Sequence, residues 1–335
     1  MSLLLAFLLS LGLGPGLGTP PRAQAPVLRE IAALRLPGIH GRIDHFAADV
    51  KGGRLFMSAL GNDTVEIFDL RTLRHLHTLR GIGEPQGVTY APVPGRLFVA
   101  SGADGTVHVF DGAHYRLLRV VRLGSDADDT RYDRASHSVF VGFGDRGSAG
   151  LAQLNAATGE RMATIALPAH PEAFAVAALS PRIFVNLPSA GNVVAVIDRR
   201  QGKVIALWHL HGARGNFPMA LDERDHLLFV VCREPAEVLV LHTETGAIVG
   251  RVRCVERADD AWYDAARQRL YVSGGGGAIT VIARQASGSF RVMAEVPTAP
   301  GGRTSLFLPE LSRLYLGIWG RHGQAEEVRT YAVRP

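Results

Sequence analysis

The stretch Arg96-Leu-Phe-Val-Ala-Ser101, followed by Thr106-Val-His-Val-Phe-Asp111, decides the fold, because versions of it recur along the whole chain. Both segments are short, rich in β-branched and aromatic residues, and bounded by turn residues: Pro92-Val-Pro94-Gly95, Gly102-Ala-Asp104-Gly105 and Asp111-Gly112. They read as strands. The first motif recurs centred on Phe56, Phe98, Phe140, Phe184, Phe229, Tyr271 and Tyr315, at spacings of 42 to 45 residues. That period suits one four-stranded propeller blade per copy. A second strand of the form Val-x-Val-x-Asp follows, as in Val65-Glu-Ile-Phe-Asp69 and Val194-Ala-Val-Ile-Asp198.

Working outward, the second copy resolves into an inner strand Gly87–Ala91, then Arg96–Ser101, Thr106–Asp111 and an outer strand Leu117–Leu123. The last copy has only three strands, Ser305–Leu308, Arg313–Gly317 and Val328–Val333. Val27–Leu36, ahead of Pro37-Gly38, has the character of the outer strands elsewhere. The expected fold is therefore all-β: a seven-bladed β-propeller of four-stranded antiparallel blades, with the N-terminal strand closing the last one. Closure of this kind removes the open sheet edges a ring would otherwise expose.

The strand motif Tyr271-Val-Ser-Gly274, with Phe98-Val-Ala-Ser101 and Phe184-Val-Asn186, resembles the YVTN repeat of bacterial seven-bladed propellers, the YncE-like family. The resemblance covers the chain after its first 25 residues and implies architecture rather than activity. The final Asn of the motif is here mostly Ser, Ala or Gly, so no role of that residue carries over.

Of 335 residues, 47% are hydrophobic, enough for a large core, and the even repeats make residues 26–335 one domain. Formal net charge is +5, and only Lys51 and Lys203 are lysines among 36 basic residues. The arginines are interspersed with acids and form no basic run, which argues against nucleic acid as a partner. Ser2–Leu13 is apolar but too short to span a membrane, and Ala23-Gln-Ala25 offers a small-x-small cleavage site. Residues 1–25 thus read as a signal peptide, and the mature chain as periplasmic or secreted with no membrane span. Cys232 and Cys254 fall on the second and fourth strands of the fifth copy. Two strand spacings, about 9–10 Å, separate them, too far for a disulfide. Both are expected to be free thiols.

In a propeller, the outer-to-inner linkers gather at one mouth of the central channel. Here they are polar, and counting back from the anchor aromatics places His45, Gln86, Asp129, Glu172, Asn216, Asp260 and Arg303 at one height. Three carboxylates and two amides, with a histidine and an arginine, make a candidate ligand site. Asp129, Glu172 and Asp260 offer hard oxygen ligands for one divalent cation of the Ca²⁺ or Mg²⁺ kind. His45 would favour a transition metal, and Arg303 would instead supply an internal counter-charge and admit an anion. By position alone the site is similar to the metal-binding mouth of propeller lactonases. Two functions follow: a binding module for a small molecule or an extracytoplasmic protein, or a metal-dependent hydrolase with His45 as acid or base. His209-x-His211 is a weaker candidate metal pair. Asp133, Asp222 and Asp264 recur after the inner strand, where turn-capping is the expected role. Gly274–Gly277 has no following helix and reads as a flexible loop rather than a phosphate cradle.

Overall fold

Second and third strands of every repeat are apolar on both sides, so they need a neighbouring sheet on each face, and seven sheets stacked around an axis supply it. The computed structural model describes residues 26–145, 147–320 and 325–335; the segment read as a signal peptide, residues 1–25, lies outside them. The strands pair antiparallel in chain order as seven four-stranded sheets. Their inner strands are Phe46–Asp49, Pro85–Ala91, Ala127–Asp133, Phe174–Val176, Arg214–Asp222, Ala258–Asp264 and Gly302–Leu308. Each touches the next around the ring, and the last touches the first. The blades are numbered 1 to 7 in that order. Outside the strands, the described residues form only three single helical turns, at Leu60–Asn62, Pro188–Ala190 and Pro309–Leu311.

The spacing of the anchor aromatics has a packing cause. All seven are at most 1% exposed, and several stack on an aromatic of the next blade's inner strand. Phe56 meets Tyr90 at 5.7 Å, Phe229 meets Tyr263 at 5.0 Å and Tyr271 meets Phe307 at 5.1 Å. One blade period therefore separates successive seam-filling rings.

Closure follows the expected route. Leu28–Arg35 pairs antiparallel with Glu327–Val333, from Leu28 opposite Val333 to Arg35 opposite Glu327. Its register slips between Glu30 and Ala32, just as the outer strand slips in the other six blades, for instance between Gln153 and Leu154 and between Val240 and Leu241. The N-terminal strand is thus geometrically an ordinary outer strand. Leu28 enters the cluster of Tyr271, Phe307 and Tyr331, and Leu36 that of Phe46, Met57 and Tyr315.

On the face away from the linkers, the recurring aspartates cap turns as expected. Asp133 accepts from the Ala135 N–H at 3.0 Å and the Ser136 hydroxyl at 2.6 Å. Asp264 accepts from Arg267 at 2.9 Å and the Tyr271 hydroxyl at 3.0 Å. Lys51 and Lys203 are both exposed, Lys51 in the first-to-second connection of blade 1 and Lys203 as the first residue of the outer strand of blade 4, on this same rear face. Gly274–Gly277 is tighter than a flexible loop: the N–H groups of Gly275, Gly276 and Gly277 all donate to backbone carbonyls, which leaves none for a phosphate. No helix among the described residues is long and apolar enough to cross a membrane.

Leu28→Ala should destabilise the fold by about 3 kcal/mol, and deleting residues 26–37 should lower the melting temperature more steeply still. A melting curve unchanged by the deletion would show that the ring closes without this strand. Cys232 and Cys254 are free thiols, both pushed up to about 12 by burial with nearby acids adding to it. They should therefore react slowly with thiol reagents at pH 8, and the intact mass of the folded protein should be unchanged by reduction.

Candidate functional site

At the linker-bearing mouth, the inner strands do not begin as regular strands. Five of them slip register in their first residues: between Pro85 and Val88, Ala127 and Thr130, Asn216 and Met219, Ala258 and Asp260, and Gly302 and Thr304. A bulge sets an extra residue against its partner strand and re-aims the side chains around it. Adjacent acids at the bulge consequently do different work. Asp129 binds across the blade seam, its Oδ2 accepting from the Phe174 N–H at 3.4 Å and its Oδ1 from the Thr130 N–H at 2.8 Å. Asp260 likewise reaches the next blade, three blades further on, accepting from the Ser305 N–H at 2.7 Å. Their neighbours Asp128 and Asp259 belong to the mouth.

A small cavity of about 30 Å³ lies there, lined by Arg42, His45, Asp128, Asp129, Glu172, Phe217 and Asp259. It takes one water or the tip of one polar group. Most of the charge around it is already paired. Asp129 meets Arg131, and Asp259 meets both Arg233 at 2.5 Å and Arg303 at 2.8 Å. Arg233 in turn lies 3.4 Å over the Phe217 ring, and Arg303 5.3 Å over Trp319. Arg42 holds Asp44 at 3.0 Å, and His45 sits 4.0 Å from Asp260 and 3.9 Å from Asp44. His170 bridges two acids, 3.6 Å from Asp126 and 3.6 Å from Asp128. Two acceptors are left over. Asp128 Oδ1 is buried and accepts no hydrogen bond. Glu172, half-buried, makes no side-chain hydrogen bond or ion pair among the described residues.

The seven residues expected at one height therefore divide. His45, Asp129 and Glu172 line the small cavity. Asp260 instead lines a separate cavity of 260 Å³ with Arg131 and Trp262. Gln86 is spent on Asp126, to which it donates at 2.9 Å. Asn216 is fully buried and donates to Asn186 and to the Val193 carbonyl, so it is a seam residue. Arg303 is not the counter-charge of Asp129, Glu172 and Asp260; it is held by Asp259. Among the described residues no group of three or more His, Cys, Asp or Glu is arranged to hold a metal ion. The physical reason is that Asp129 and Asp260 turn their oxygens to backbone N–H groups of the next blade. His209 and His211 stack at 6.3 Å and belong to no such group either.

Sequence reasoning missed Arg42, Asp44, Asp128, His170, Arg233 and Asp259. One cue was present: Ala127-Asp-Asp129 and Ala258-Asp-Asp260 double the acid at the same point of blades 3 and 6. A strict two-residue alternation allows only one of each pair to face the channel, and the bulge breaks that alternation.

The ionisation of the site follows from burial and charge. Burial pushes the Glu172 carboxyl up, and Asp128 adds to it, to about 7. Burial likewise raises Asp260 to about 7 against the opposing pull of His45. Burial works against a charged His45, but Asp44, Asp129, Asp260 and Asp128 together outweigh it and hold the imidazole at about 9. His170 reaches about 9 in the same way, through Asp128, the Gly144 carbonyl and Asp126 outweighing its burial.

No protein-family model matches the chain, and no curated protein does. Solved structures do match, at the level of fold. Hydrazine synthase from Kuenenia stuttgartiensis aligns with a TM-score of 0.77 at 15% identity, over 89% of this chain and 99% of that one. A chain of the mitotic checkpoint complex gives 0.77 at 14% identity, over 100% and 99%. The WD40 repeats of RRP9 give 0.77 at 10% identity, over 91% and 98%. At these identities the likeness establishes the propeller and nothing of its chemistry.

The raised values at the mouth set a sign for stability against pH. Glu172 and Asp260 bind a proton more tightly folded than unfolded, so their stabilisation is full below pH 4 and lost as pH rises through about 7. That of His45 and His170 is full below about 6.5 and lost through about 9. Melting temperature should therefore fall steadily from pH 5 to 9.5. Glu172→Gln should raise stability at pH 8 by about 1–2 kcal/mol and leave it unchanged at pH 4.5. A variant equal to the wild type at both pH values would count against a buried charge at this position.

Proposed function

We propose that this chain is an exported, YncE-like propeller that works as a binding module, taking the cationic tip of a small molecule or of an extracytoplasmic protein at the channel mouth. The YVTN-like strands support the family reading, and the apolar Ser2–Leu13 segment with Ala23-Gln-Ala25 supports export. Use of the same scaffold within an assembly, as the mitotic checkpoint complex exemplifies, is in keeping with a partner-binding role.

The observation that carries the chemistry is the pair of unsatisfied acceptors, Asp128 Oδ1 and the Glu172 carboxylate, facing a cavity of about 30 Å³. An orphaned buried acceptor costs about 1–3 kcal/mol. An ammonium or guanidinium donates several charge-assisted hydrogen bonds at once and would relieve both. Arg42, Arg233 and Arg303 are held by Asp44 and Asp259, so they do not neutralise Glu172 directly.

The test uses butylammonium, butylguanidinium and neutral butanol, titrated calorimetrically. The cations should bind more tightly than butanol, and about tenfold or more tightly at pH 8 than at pH 5.5, because Glu172 ionises at about 7. Glu172→Gln should lose both the preference and its pH dependence. Equal binding of cation and alcohol, or a Glu172→Gln variant that binds like the wild type, would sink this reading.

A further inference from the structure

A second cavity, unrelated to the mouth, opens at the seam where the ring closes. It measures 570 Å³, within the range of ligand pockets, and runs between the N-terminal strand with its exit segment and the third and outer strands of blade 1. Its floor is apolar: Leu36, Ile39, Phe68 and Leu73 are all buried core residues of the closing seam. Its rim is basic. Arg35, Arg74 and Arg80 line it and are exposed, and none of the three makes an ion pair among the described residues.

Glu66 is the one acid among the described lining residues, and its oxygens are occupied. Oε1 accepts from the Thr64 hydroxyl at 2.7 Å, and Oε2 accepts from the Thr78 hydroxyl at 2.6 Å and lies 2.8 Å from His75 Nε2. It is therefore no counter-ion for the arginines. Three cationic side chains with no ion pair among the described residues, over an apolar floor, match a ligand with an apolar body and an anionic head. The body would cover the leucine, isoleucine and phenylalanine surface. The head would accept charge-assisted hydrogen bonds from guanidinium groups free to reorient towards it.

We infer that this closing-seam cavity is a binding site for small amphipathic anions of the alkyl or aryl carboxylate class. The site includes the strand that shuts the ring, so an occupant bridging Arg35 and Arg74 would also hold blade 7 to blade 1 and stabilise the fold by mass action.

Anilinonaphthalene sulfonate serves as the fluorescent probe and decanoate as the competitor, on the full folded chain. Decanoate should displace the dye and raise the melting temperature, whereas decanol and decyltrimethylammonium at the same concentration should do neither. Arg74→Ala/Arg80→Ala, two exposed positions whose loss leaves the core intact, should weaken decanoate binding about tenfold or more. Glu172→Gln should bind decanoate as the wild type does, which separates this site from the mouth. No decanoate binding, decanol binding as well as decanoate, or an unaffected arginine double variant would each overturn the inference. Loss of binding in Glu172→Gln would do so too, by moving the ligand to the channel.

Discussion

The pairing of Leu28–Arg35 with Glu327–Val333 is the constraint on which the molecule depends. Second and third strands such as Arg96–Ser101 and Thr106–Asp111 are buried along almost their whole length, so every blade needs a neighbour on both sides. An open arc of seven sheets would leave two such faces in water. Closing the ring satisfies them all at once, and it also assembles the mouth. Arg42 and His45 come from the approach to blade 1, Asp128 from blade 3, Glu172 from the approach to blade 4 and Asp259 from blade 6. Residues far apart in the chain, such as His45 and Asp260, come within 4.0 Å only because the circle is complete.

The mouth so formed is costly for a purely architectural feature. Burying ion pairs seldom adds stability over well-packed apolar side chains, and here six or more charges are drawn together beside a cavity that leaves two acceptors unmatched. Part of the arrangement serves the ring itself, since Asp129 and Asp260 clasp the next blade through its backbone N–H groups. The remainder, Asp128 Oδ1 and the Glu172 carboxylate, accepts no hydrogen bond among the described residues and does not serve the seams.

How much of this was legible beforehand depended on the scale of the pattern. The anchor aromatics from Phe56 to Tyr315 mark a period that only stacked seams require, and the orphan three strands at the C-terminus point to Val27–Leu36 as the missing fourth. The site was legible only in part. Gln86 and Asn216 hold the right height but spend their amides on Asp126, Asn186 and the Val193 carbonyl. Asp128 and Asp259 were passed over because alternation assigns them to the wrong side. A bulge is a local departure from period two, and the sequence marks it only by doubled acids. Arg303 illustrates a different limit: its partner, Asp259, lies on another blade, and such pairings are set by the ring rather than by neighbours in the chain.

The scarcity of lysine acquires a practical meaning once the chain is folded. Lys51 and Lys203, the two lysines of the sequence, are both exposed at the rear-face ends of their blades, and neither borders the mouth or the closing-seam cavity. Coupling to a carboxyl-activated surface through these side chains would tether the propeller by its back, with every molecule in a similar orientation and the channel mouth turned towards the solution. A surface whose basic residues are almost all arginine thus leaves the protein with a built-in handle on the side away from the channel mouth.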